Sequence, residues 1–161
     1  MDRANPAAHA ATQATTGPAD GLPQPARNRA MLVIILGITM AVLDGSIVNL
    51  ALPDITRELN ATAAQSIWVI NAYQIAIIAL LLPLATLGDV VGYRRVYMVG
   101  MALFTAASVA CTFADSLTTL ALARGVQGVG AAGIMGVNAA LVRLTYPSAL
   151  LGRGIALNSM V

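Results

Sequence analysis

Four long apolar runs, separated by short polar segments, constrain this chain more than any other feature. They cover about residues 30–52, 66–87, 96–113 and 117–141. Each approaches or exceeds the ~20 residues a helix needs to cross a bilayer. Composition points the same way, with 58% of residues hydrophobic and 10% charged, whereas a soluble domain carries about a quarter charged residues. We therefore expect an all-α integral membrane protein with four full transmembrane helices. A further apolar stretch opens near Gly154 and the chain ends at Val161, so it supplies only the start of a fifth helix. Residues 30–161 would form part of a larger bundle.

Polar punctuation orders the runs. Residues 1–29 are rich in Ala, Thr and Pro and nearly lack large apolar side chains. Such a segment cannot bury enough surface to offset its ordering entropy, so it is expected to be a disordered tail with His9 in solvent. It is too long and polar for the n-region of a signal peptide. Pro53 is expected to close the first helix, and Trp68 and Tyr73 to lie near the membrane interface. Gly92 supplies a φ > 0 position for the turn "GDVVGYRR". Arg27 and Arg29 precede the first helix, Arg94 and Arg95 join the second to the third, and Arg143 and Arg153 follow the fourth. The positive-inside rule puts these segments and the N-terminus in the cytoplasm.

Several functions are disfavoured by what the chain contains. Its net charge of +2 comes from nine arginines without clustering or aromatic interleaving, so nucleic acid is not an expected partner. Cys111 is the only cysteine and is expected to be a buried, inert thiol without a disulfide partner. The absence of lysine rules out a P-loop and disfavours a primary pump. With His9 as the one histidine, an intramembrane metalloenzyme of the H-E-x-x-H type has no site, and neither metal nor cofactor is expected.

Polar residues inside the spans carry the functional signal. Asp44 and Arg124 lie in apolar helices, where a charge costs at least ~2.5 kcal/mol. Asp44 lies about eight residues, roughly 12 Å, from the outer end of its helix at 1.5 Å per residue. Arg124 lies about seven residues, roughly 10 Å, below the same surface. The two opposite charges share one depth and are expected to meet across a cavity. Gln127 is one turn from Arg124 and Asn49 near one turn from Asp44; with Asn71 and Gln74 they are candidate cavity lining, or interhelical hydrogen bonds worth ~0.6 kcal/mol each. Gly128, Ala132, Gly136 and Ala140 form a stripe that permits close helix packing.

Three of these segments together resemble the major facilitator superfamily, most closely its 14-helix drug:proton antiporter branch. "LDGSIVNLALPDI" is similar to the branch's helix-one signature at Asp44, Ile47, Val48, Asn49, Ala51, Leu52 and Pro53. The run ending "LATLGDVVGYRR" resembles helix two and the superfamily's loop motif at Leu87, Asp89, Gly92, Arg94 and Arg95, with Ala85, Val90 and Tyr93 departing from it. "RGVQGVGAA" is similar to the helix-four motif at Arg124, Gln127, Gly128 and Gly130. The glycine–proline motif of helix five would fall beyond Val161. The resemblance implies a bacterial inner-membrane, multi-pass antiporter of lipophilic or cationic small molecules, driven by the proton gradient. Asp44 and Arg124 would serve proton coupling and substrate binding, and Asp89, Gly92, Arg94 and Arg95 a cytoplasmic gate. The chain itself would be the N-terminal fragment, lacking the C-terminal helices. A non-transporting remnant and a family member with another substrate class are the alternatives.

Overall fold

The computed structural model describes residues 21–58 and 61–160; most of the expected tail, including His9, lies outside them. Among the described residues the regular structure is entirely helical. Helix α1 spans Gln24–Glu58, α2 Ala63–Val91, α3 Tyr93–Thr112 and α4 Leu117–Thr145. A 3-10 turn, Ser148–Leu150, leads into the short α5, Leu151–Asn158. The first four are long and apolar enough to cross a membrane.

Two boundaries differ from the expectation at α1. Residues 24–29 are helical rather than tail, because contacts from the far end of α4 order them. Leu22 N–H donates to Thr145 O at 3.2 Å, and the Arg27 guanidinium lies over the Tyr146 ring at 5.4 Å. Pro25 falls in the first turn, where a missing N–H costs no helical bond. Pro53, expected to end the helix, lies inside it. Membrane helices tolerate proline where side chains and neighbours compensate. Here the Thr56 hydroxyl lies 2.7 Å from both Leu52 O and Ser66 Oγ, tying the continued turn to the start of α2.

The other ends follow local chemistry. Thr62 and Gln65 form a reciprocal capping box that opens α2, an arrangement worth about 1 kcal/mol. Gly92, at φ 99°, separates α2 from α3, with its N–H donating to Gly88 O at 3.0 Å. Ser116 caps α4 by accepting from Thr119 N–H at 3.2 Å.

Helix α4 is the hub and packs most extensively on α2 and α3. Its expected small-residue stripe faces α2: a Cβ on Gly128 would fall 2.5 Å from Tyr73 O, and one on Gly136 2.8 Å from Leu81 O. A second small face meets α3, where a Cβ on Gly130 would fall 2.5 Å from Phe104 N. Around these approaches Phe104, Ile134, Val137 and Val69 are fully buried. Helix α1 is held to α3 by the Tyr97 hydroxyl, which donates to Val33 O at 2.8 Å. Gly37 leaves that hydroxyl its space.

Gly130→Ala should therefore force α3 and α4 apart and cost about 1–3 kcal/mol, as overpacking does. Gly45→Ala, whose Cβ would meet nothing within 4 Å, should leave stability unchanged or raise it. Thermal unfolding of the purified variants checks the contrast; equal melting temperatures would refute the close-packing account.

Candidate functional site

The polar residues of α1 and α4 meet inside the bundle. Arg124 is 3% exposed, and its Nη1 donates to Asp44 Oδ2 at 2.5 Å and to Gln127 Oε1 at 2.8 Å. Gln127 Nε2 in turn donates to Asp44 Oδ1 at 2.7 Å. Both carboxylate oxygens are thus held, one by a charge-assisted bond and one by an amide. Arg124 and Gln127 are three positions apart on α4, so the helix itself sets their spacing. An uncompensated guanidinium in an apolar helix is the alternative, so the pairing stabilises the bundle.

Tyr73 of α2 completes the cluster. Its ring centroid lies 4.3 Å from the Arg124 guanidinium carbon, a cation–π contact that desolvation strengthens. The tyrosine expected near the interface packs inside the bundle: Tyr73 is 5% exposed, whereas Trp68 is 60% exposed. The signal was present in spacing, since Ser66, Val69 and Tyr73 are buried positions at helical spacing on one face of α2. Cys111 also reaches the site. It is half-buried, and its thiol donates to Gln127 Oε1 at 3.7 Å. Tyr73 Oη and Arg124 Nε are buried without hydrogen-bond partners, so the cluster retains unused polar capacity.

Other expected residues lie elsewhere. Asn49, Asn71 and Gln74 are exposed on α1 and α2 and do not join the cluster. At the opposite end, Asp89, Gly92, Arg94 and Arg95 are exposed around the α2–α3 junction. Asp89 accepts a hydrogen bond from the Tyr93 hydroxyl across Gly92, and Arg95 Nη1 reaches Val91 O at 3.5 Å. Among the described residues Asp89 forms no ion pair; Arg57–Asp54 and Arg124–Asp44 are the ion pairs. No group of metal-ligating side chains occurs among them either.

Membrane-length helices around a buried ion pair that keeps spare hydrogen-bonding capacity define an integral membrane bundle with a polar site inside it. The profile of the Major Facilitator Superfamily matches residues 34–161, and the chain belongs to that family. It is 55% identical over 143 residues to the uncharacterized transporter YebQ of Escherichia coli, covering 89% of this chain and 31% of that protein. It is 40% identical over 126 residues to the multidrug resistance protein Stp of Mycobacterium tuberculosis, covering 76% of this chain and 24% of Stp. It is also 34% identical over 131 residues to the riboflavin transporter RibZ of Clostridioides difficile, covering 81% of this chain and 29% of RibZ. The chain thus spans about a quarter to a third of the length of these relatives.

Breaking one side of the buried pair should be costly. Asp44→Ala leaves Arg124 without its counter-ion and is expected to destabilise the bundle by about 3 kcal/mol, the lower end for a buried pair because Asp44 keeps 18% side-chain exposure. Combining Asp44→Arg with Arg124→Asp should recover part of that loss. Membrane yield and thermal stability read it, and a double variant no better than either single one would contradict a direct pair.

Proposed function

We propose that this chain is the N-terminal part of a transporter that exports lipophilic or cationic small molecules in exchange for protons. The observation that carries the reading is the buried Asp44–Arg124–Gln127 cluster. A carboxylate held by a guanidinium and an amide can lose its charge without leaving the site. Protonation of Asp44 removes the ion pair, while Arg124 keeps Gln127 Oε1 and the Tyr73 ring as partners. The two states of Asp44 would then favour different arrangements of α1 against α4. One proton crossing 100 mV releases ~2.3 kcal/mol, enough for roughly a fiftyfold gradient of a neutral solute.

The drug-export reading draws support from relatives named multidrug resistance protein Stp and drug efflux pump JefA, the latter 35% identical over 124 residues. The 14-helix antiporter branch is the proposed place within the family. In the proposed topology the protein lies in the bacterial inner membrane, with the N-terminus and the arginine-bearing ends cytoplasmic. Asp89, Gly92, Arg94 and Arg95 would form the gate at that side. Helices beyond Val161 would close the pathway, with the substrate site near the midplane between inverted repeats. The riboflavin transporter RibZ supports a second reading, in which the same machinery carries another substrate class.

Everted vesicles containing the full-length protein provide the test. An imposed proton gradient should drive uptake of a lipophilic cationic dye, and Asp44→Asn should reduce that gradient-driven uptake at least about tenfold while the protein still inserts. An Asp44→Asn protein with full proton dependence would remove the coupling role. Uptake of flavins but not of cationic dyes would favour the second reading.

A further inference from the structure

The end of the bundle that bears most of the arginines contains a groove unconnected to the Asp44 cluster. It measures about 650 Å³ and lies between α1, α3 and α4. We propose that it binds an anionic phospholipid, with the phosphate between Arg29 and Arg94 and an acyl chain along Val33, Ile34, Met98 and Leu141.

Register places the two arginines together. The Tyr97 hydroxyl on Val33 O pins α3 to α1 at one level. Arg29 lies four residues before Val33 and Arg94 three before Tyr97, so each is about 5 Å from that level at 1.5 Å per residue. Both precede the contact, on helices that run in the same direction, and both line the groove. Their charges are free to take an anion. Arg29 makes only a long bond from Nε to Pro25 O, at 3.4 Å, and neither arginine is ion-paired among the described residues. No acidic residue lines the groove.

The remaining walls match a lipid better than a soluble anion. Val33 and Met98 are 46% and 58% exposed on helices long and apolar enough to cross a membrane, so an acyl chain laid along the groove would meet apolar side chains. Guanidinium groups recognise phosphate oxygens by planar, paired donation, and basic pockets between transmembrane helices suit anionic headgroups. Arg143 separates this site from general attraction of the basic end, because it lines a different cavity with Tyr93 and Ile155. The proposal requires that the bundle be embedded in a membrane and that the helices beyond Val161 leave this groove open to lipid. It does not depend on substrate or proton coupling.

The test uses the full-length protein in nanodiscs with spin-labelled phosphatidylglycerol or phosphatidylcholine, reading the motionally restricted fraction of each. Phosphatidylglycerol should be preferred. Arg29→Gln combined with Arg94→Gln should lower the preference at least about fivefold, the factor expected for one arginine at an anionic surface. Ala30→Phe, which fills the groove and keeps both charges, should lower it too, and Arg143→Gln should not. Unchanged melting temperatures confirm that the variants fold. An unaffected preference in the double variant overturns the proposal, as does an equal loss in Arg143→Gln. Two further results overturn it: displacement of the lipid by millimolar inorganic phosphate, which indicates a free-anion site, and new lipid binding only after removal of residues 1–20, which indicates that this segment fills the groove.

Discussion

The charge of Arg124 is the constraint that organises this bundle. A buried guanidinium within an apolar helix must be met from several directions, and here three helices supply the partners. Asp44 comes from α1, Tyr73 from α2 and Gln127 from α4 itself. Shifting α1 by one residue along its axis would carry the Asp44 carboxylate about 1.5 Å and around by 100°, breaking both of its bonds. The cluster therefore sets helix register, a role that apolar packing alone fills poorly because greasy surfaces slide at little cost.

Close backbone approach provides the complementary restraint. Gly128 and Gly136 bring α4 against the backbone of α2, and Gly130 brings it against α3. In a membrane, helix association draws on van der Waals contact and interhelical bonds rather than on expulsion of water. Small residues at these positions are what allow the Arg124 side chain to stay within reach of Tyr73. The two restraints reinforce each other: the glycines fix separation and the ion pair fixes height.

Much of this was legible in the residues. Apolar runs of spanning length announce helices, and a carboxylate and a guanidinium stand out inside them. Helix rise then puts Asp44 and Arg124 at one depth without any structure. Tyr73 was not legible in the same way, since an aromatic near a helix entry also suits the interface, and only its alignment with Ser66 and Val69 marks the buried face. The early start of α1 was hidden because Tyr146 and Thr145, more than a hundred residues away, order it. Pro53 reads as a stop in isolation, yet Thr56 and Ser66 hold the turn beyond it. The second glycine face, toward α3, was masked by the more regular stripe toward α2.

Gly92 gives the α2–α3 junction a distinct mechanical character. One residue at φ 99° is all that separates two helices of membrane-spanning length, and no loop takes up slack between them. A change in the angle between the two helices would fall on the torsions of that glycine, which makes it the pivot of the pair. The Tyr93–Asp89 bond spans the pivot like a clasp. A change in that angle would alter the spacing of Asp89 and Tyr93, one turn apart across the pivot.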